Sequence, residues 1–227
     1  MRVLAVGNSH VGALLAGWQK VSARFPQFEL AFVGSHSKEL RSAVVEDGRI
    51  ARVHFSKGGD SLGLADYDAF VVVADLAPAR VVFTGIVERR YSAQVTRAAI
   101  EDHVAASLGM DIVRRLIRPN SQAPVFMLSR PERQSNQRKT SAANYEEGRA
   151  CLADELARHD IVYLAQARRT LDADFVPRPE YYSNAVNLGG RTASRQEVAS
   201  VGHLNAEGGR EAVLDLLTCI ERRLTMA

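Results

Sequence analysis

Residues 3–18 read VLAVGNSHVGALLAGW. Val3–Val6 is an apolar run of strand type. Gly7-Asn8-Ser9-His10 forms a sharp polar corner, and Val11, Leu14, Leu15, Trp18 and Val21 then recur on one helical face. A buried strand that turns directly into an amphipathic helix begins an α/β pattern, and the rest of the chain continues it. Phe28–Val33 reads as a second strand, ended by Gly34-Ser35, and Ile50–Phe55 as a short strand leading to a Gly58-Gly59 turn. Residues 69–74, AFVVVA, are apolar on both faces and predict an interior strand.

One long helix is expected over residues 92–117, where Ile100, Val104, Leu108, Ile112 and Leu116 recur at four-residue spacing until Pro119 stops it. Pro124–Leu128 and Ile161–Leu164 read as strands on either side of a helix over about 142–158. A long irregular segment with Pro177, Pro179, Gly189 and Gly190 leads to Gly202-His203. The final helix, about 206–224, has Asn205 placed to cap it and Val213, Leu216, Leu217, Ile220 and Leu224 as its inner stripe. This alternation predicts a single domain over 1–227, a three-layer α/β/α sandwich around a parallel sheet of about five strands. Ligands on such sheets bind beyond the carboxyl ends of the strands. Ser9, Gly58-Gly59, Asp75 and Ser129 all follow candidate strands and are expected to share one rim.

The composition narrows the function classes. A formal charge of +3 on 227 residues, with no basic tail, gives no footprint for nucleic acid. No apolar run is long enough for a bilayer, and the N-terminal one is broken at Gly7–His10 with Arg2 as its only early positive charge, so neither a membrane span nor a signal peptide is expected. Cys151 and Cys219 are far apart and outside any CxxC pair; they read as packed thiols in a reducing compartment, with a cytoplasmic location as the default. No Cys/His spacing suits a metal, and no cofactor is expected.

Two serines occupy glycine-flanked turns, Ser9 and the Ser61 of GGDSLG at 58–63. A nucleophile needs an exposed turn, backbone N–H groups for an oxyanion and a base. Ser9 follows a strand and opens a helix, whose unpaired N–H groups and partial positive charge favour an anion. Ser61 lies too close to the strand at 69–74 for a crossover helix, so the letters GDSL at 59–62 are a poorer candidate. Asn8-Ser9 also suits a plain N-cap, and a glycine turn after a first strand also suits a phosphate, although neither G-x-G-x-x-G nor G-x-x-x-x-G-K-[ST] is present.

The stretch VGHLNAEGGREAVLDLL, 201–217, places His203 just before the last helix. Together with Gly7-Asn8-Ser9-His10 it resembles the SGNH/GDSL hydrolase superfamily, whose first block is a G-D-S turn and whose last is D-x-x-H-L-N-x-x-G. Lys57-Gly58-Gly59-Asp60-Ser61 resembles the second block, and AFVVVADLA stands where the third, ending in G-x-N-D, is expected. The resemblance implies a flavodoxin-like SGNH hydrolase fold with Ser9 as nucleophile and His203 as general base. It implies an oxyanion hole from the N–H groups of Ser9 and of Gly58 or Gly59, with Asp75 nearest the place of the missing asparagine. The implied activity is that of a serine esterase working through an acyl-enzyme on a small-molecule or glycan ester. The same residues would serve an O-acyltransferase, and a noncatalytic ligand-binding protein on the same fold is the alternative of another class.

Three departures bear on this. Asn8 replaces the usual aspartate beside the serine. Ser200 stands where the triad aspartate is expected, leaving Ser200, Glu197 or a backbone carbonyl to orient His203. Asp75 replaces the asparagine, and an ionised carboxylate there has to be protonated, turned away or given another task. Beyond the catalytic set, His10 reads as either a substrate contact or a structural histidine. Arg130 opens a polar loop suited to an acidic group or simply to solvent. Tyr181 and Tyr182 suit sugar stacking or loop anchoring. Oligomeric state is not legible in the sequence.

Overall fold

The computed structural model describes residues 1–53, 55–57, 63–132, 139–186 and 202–225. Its main sheet has six strands, β1 (Arg2–Gly7), β2 (Glu29–Gly34), β5 (Phe55–Lys57), β6 (Ala69–Val73), β7 (Val125–Leu128) and β8 (Ile161–Leu164), in the order β5-β2-β1-β6-β7-β8. Five are parallel and only β5, at the edge, runs antiparallel to its neighbour β2. Counted along the chain, the parallel strands lie 2-1-3-4-5, the flavodoxin-like order. Connections leave β1 in one direction and β6 in the other, so the crevice between their ends is where a ligand site belongs.

Every residue of β6 is buried, and its side chains alternate between two cores. Phe70 and Val72 join Leu4 and Val6 of β1 on one face; Val71 and Val73 join Val3 and Ala5 on the other. The second face is covered by α1 (Val11–Val21) through Val11, Leu14 and Leu15, and by the final helix, α7 (Ala206–Thr225), through Val213, Leu216, Leu217 and Ile220. The first face is covered by α4 (Ala93–Ala105), α5 (Leu108–Ile112) and α6 (Ala142–Ala157). Two shorter helices, α2 (Ser37–Leu40) and α3 (Ala79–Gly85), follow β2 and β6. The three-layer sandwich with five parallel strands is thus the observed architecture.

Two expected elements differ. The helix expected over 92–117 is divided into α4 and α5, with a π-helical turn at Val113–Ile117. The break is at Ser107, whose hydroxyl donates to the Val104 carbonyl at 2.7 Å and accepts from Met110 N–H at 3.2 Å, starting a new helix with a new cap. The strand expected over Ile50–Phe55 is interrupted at Arg52, where φ is +60°. Its first half is β4 (Arg49–Ala51), which pairs with β3 (Val44–Glu46) as a hairpin around Asp47-Gly48, both at positive φ. Its second half becomes β5.

The closest helix contact is between α1 and α7. A Cβ at Gly209 would lie 1.8 Å from the Ala13 carbonyl oxygen, and one at Gly17 would lie 2.2 Å from the Gly209 carbonyl carbon. The two backbones therefore touch, and neither glycine tolerates a side chain unless the helices separate. No helix among the described residues is long and apolar enough to cross a membrane.

Gly209→Ala is expected to lower unfolding free energy by about 1–3 kcal/mol, the cost of overpacking, as a fall in the urea midpoint. Gly85→Ala in α3, where a Cβ meets open space, is the control. It is expected to be neutral or stabilising by up to about 1 kcal/mol.

Candidate active site

The corner after β1 is shaped by contact with β6. A Cβ at Gly7 would lie 1.9 Å from the Val73 carbonyl oxygen, so only glycine fits where the chain leaves the sheet. Asn8 N–H donates to that carbonyl at 3.1 Å. The Asn8 side chain closes the turn in two directions. Its Oδ1 accepts from His10 N–H at 3.3 Å, and its Nδ2 donates to Asp75 Oδ1 at 2.9 Å, with Ser37 Oγ at 3.5 Å. Ser9 is thus held between two anchored neighbours, half-buried, with the α1 bonds starting at Val11 N–H to Asn8 O and Gly12 N–H to Ser9 O. The Ser9 N–H stands ahead of those bonds, at the electropositive end of the helix.

His203 is positioned by the start of α7. Gly202 takes φ +69°, which favours glycine, and turns the chain into the site. Leu204 O accepts from Val186 N–H at 3.1 Å. Asn205 caps α7 by accepting from Gly208 N–H at 2.9 Å, while its amide donates to the carbonyls of Glu180 at 2.7 Å and Ser183 at 2.8 Å. His203 is 3% exposed, and its Nε2 lies 2.6 Å from Ser9 Oγ. The fold thus brings together two residues 194 positions apart in the chain, with the geometry a base needs to take a hydroxyl proton.

The His10 ring packs against that of His203, centroids 4.9 Å apart and tilted by 42°. Burial, and then the neighbouring His203 and Arg130, push the His10 imidazole down to about 3, so it stays neutral beside the pair. Its Nδ1 is buried without a hydrogen-bond partner among the described residues. Arg130 is half-buried, with its N–H bonded to Leu76 O at 3.0 Å. Asp75 is half-buried and is an acceptor for the Asn8 amide, so the carboxylate has the task of holding the Ser9 turn.

The two tyrosines part company. Tyr181 is half-exposed. Tyr182 is fully buried among Ala13, Ala16, Val186 and Leu204, and its hydroxyl accepts from Gln166 Nε2 at 3.0 Å, so it anchors the loop from inside. Gly58, Gly59, Ser61, Glu197 and Ser200 lie outside the described residues, as do Arg133 and Arg138 of the polar loop. Among the described residues no group of three His, Cys, Asp or Glu side chains is arranged for a metal ion.

Sequence reasoning missed the polar network beneath the rim. Arg80 of α3 and Glu132, 1% and 2% exposed, form a bidentate ion pair, Nη2 to Oε2 at 2.6 Å and Nε to Oε1 at 3.3 Å. Glu132 N–H donates to Gln166 Oε1 at 2.8 Å, and Gln166 Nε2 donates to Thr170 Oγ1 at 2.8 Å as well as to Tyr182. The network ties α3, the segment after β7, the segment after β8 and the loop beside His203 into one support. Its only trace in the sequence is an acidic residue, Glu132, inside a basic stretch.

His10 gives the protein a measurable acid sensitivity. The unfolded chain binds a proton on this imidazole below about 6.5, whereas the folded protein resists until about 3, so stability falls as pH drops through that window and is unaffected by this group above it. Urea unfolding at pH 7, 5.5 and 4 is expected to show a smaller loss in His10→Phe than in the parent, the difference reaching on the order of 3 kcal/mol at pH 4. Equal losses in both proteins would contradict a buried neutral His10.

No family model matches the chain, and no curated protein matches it. Among solved structures it is similar to a lipase from a goat rumen metagenome, at 10% identity over 96% of each chain with a TM-score of 0.47. It is also similar to a carbohydrate acetylesterase family member from Sinorhizobium meliloti, at 15% identity over 99% of each chain with a TM-score of 0.40. A third similarity is to a DUF4886 family protein from Bacteroides uniformis, at 12% identity over 93% of this chain and 91% of that one, with a TM-score of 0.38.

Proposed function

We propose that the protein is a serine esterase that hydrolyses a small-molecule or carbohydrate O-acyl ester through an acyl-enzyme on Ser9. The observation that carries this reading is the 2.6 Å contact between Ser9 Oγ and His203 Nε2 at the strand-to-helix corner where the sheet's connections diverge. A serine that served only as a helix cap would need no imidazole at its hydroxyl.

In the first half-reaction Ser9 Oγ bonds to the ester carbonyl carbon and its proton passes to His203 Nε2. The carbonyl electron pair moves onto oxygen, then returns as the bond to the alcohol oxygen breaks, and the alcohol leaves with the proton from His203. In the second, a water gives its proton to His203 while its oxygen bonds to the acyl carbon. The bond to Ser9 Oγ breaks, the proton returns to Ser9, and the acid departs. The Ser9 N–H and the N-terminus of α1 stabilise the oxyanion, together with Gly58 or Gly59. Asp75 takes part by fixing Asn8, since a carboxylate has no N–H to offer. For the group that orients the His203 ring the sequence offers Ser200, Glu197 or a backbone carbonyl.

A fluorophosphonate probe applied to native protein tests this. Labelling is expected in the parent and in Ser61→Ala, to be absent in Ser9→Ala, and to slow by about a hundredfold or more in His203→Ala. Labelling that survives Ser9→Ala would overturn the assignment, and a folded parent that takes no label would overturn the hydrolase reading.

A further inference from the structure

Beside the Ser9–His203 pair, on the α1 and α7 side of the sheet, lies a largely apolar cavity with about 30 Å³ open to a water-sized sphere. The residue after each member of the pair forms part of its wall: His10 follows Ser9, and Leu204 follows His203. Leu14, Val73, Leu128 and Leu216 supply apolar surface. At roughly 10–15 Å³ of such space per water, it holds two or three non-hydrogen atoms.

Two residues of its wall carry buried polar atoms that complete no hydrogen bond among the described residues. His10 lines it, and its Nδ1 is buried without a hydrogen-bond partner among the described residues. Ser129 lines it too; its hydroxyl lies beside the Tyr163 hydroxyl, and neither oxygen completes a hydrogen bond of ordinary geometry among the described residues. Gln166, by contrast, is committed to Glu132, Thr170 and Tyr182. A buried polar atom left unpaired costs stability, so these atoms are built for something that arrives. A neutral occupant suits the cavity, because an acid would face the Asp215 carboxyl at the wall and a cation would feel the Arg130 charge that reaches His10. A hydroxyl group both donates and accepts, so it satisfies His10 Nδ1 in either tautomer and Ser129 as well.

We propose that this cavity is the distal part of the acyl subsite of the Ser9 centre, taking the two or three non-hydrogen atoms farthest from the ester carbonyl, and that the acyl chain, of about four carbons or fewer, bears a hydroxyl group there that pairs with His10 and Ser129. This rests on the esterase reading of Ser9. Leu164, Ala165, Gln166 and Asp215 line both the cavity and an open cleft of about 490 Å³ on its far side. They form the partition that limits chain length.

The test compares kcat/KM for p-nitrophenyl esters of acetate, butyrate, 3-hydroxybutyrate and octanoate on the full chain. The 3-hydroxybutyrate ester is expected to exceed the butyrate ester about tenfold, the worth of one net hydrogen bond, and octanoate to be the poorest. Ser129→Ala and His10→Phe should each bring the hydroxybutyrate-to-butyrate ratio towards one. That ratio cancels any general loss at the neighbouring His203. Leu164→Ala, which opens the partition, should raise octanoate relative to butyrate.

A parent ratio of one, or octanoate cleaved as well as butyrate, would overturn the subsite while Ser9-dependent hydrolysis kept the esterase reading intact. If no ester is cleaved, the esterase reading falls. The cavity is then judged by NMR of nitrogen-labelled histidine, with neutral 3-hydroxybutyramide as probe. A shift of the His10 resonances that is lost in Ser129→Ala supports the pocket's preference, and no shift removes it.

Discussion

The backbone contact between α1 and α7 is the constraint from which the site follows. The Ser9 hydroxyl is fixed to the start of α1, and His203 to the start of α7. Where Gly209 meets Ala13 the two helices approach as closely as main chains allow, with Gly17 one turn further along α1. A side chain at either glycine would separate the axes, and a separation of even one ångström exceeds the tolerance of a 2.6 Å hydrogen bond. The apolar stripes of both helices lock the pair onto the sheet, so the Ser9–His203 geometry is inherited from core packing, not from the loops around it.

The rim beside the pair relies on a different kind of force. Arg80 and Glu132 are shut off from water and depend on each other for their charges. Such a pair contributes little net stability against an apolar replacement, but breaking it from one side is costly. Its value is geometric. A bidentate guanidinium–carboxylate contact has one good orientation, and through Gln166 it dictates where Thr170 and Tyr182 sit. The loop that receives the Asn205 amide is therefore braced from below by Tyr182 and from above by the cap of α7.

What the sequence made legible was whatever repeats locally. The alternation of Ala69–Val73 into two cores, the stripe of α7 and the glycine corner after β1 are patterns within a few residues of one another, and the structure follows them. The division of α4 from α5 escapes such reading because the apolar spacing from Ile100 to Leu116 runs unbroken across Ser107; a single hydroxyl competing for backbone partners decides it. The Asp47-Gly48 hairpin did carry a signal, the paired residues that accept positive φ, but its strands are only three residues each. Arg80 and Glu132 lie 52 residues apart with no shared pattern. Nothing in the letters separates buried Tyr182 from half-exposed Tyr181, since only the packing of Ala13 and Leu204 against one ring does so. At the corner itself, the Ser9 turn and the His203 loop are each readable. Their meeting, and the role of Asn8 in holding Asp75, belong to the third dimension.

The distance along the chain between the two partners also has a meaning in time. Ser9 is polymerised 194 residues before His203. At about 5–20 residues per second, roughly 10–40 s of synthesis separate them. Throughout that interval Ser9 lacks the His203 ring at its hydroxyl, even after β1 and α1 have formed. A growing chain on the ribosome therefore carries Ser9 without its imidazole neighbour, and the contact between the two forms only when the last helix docks.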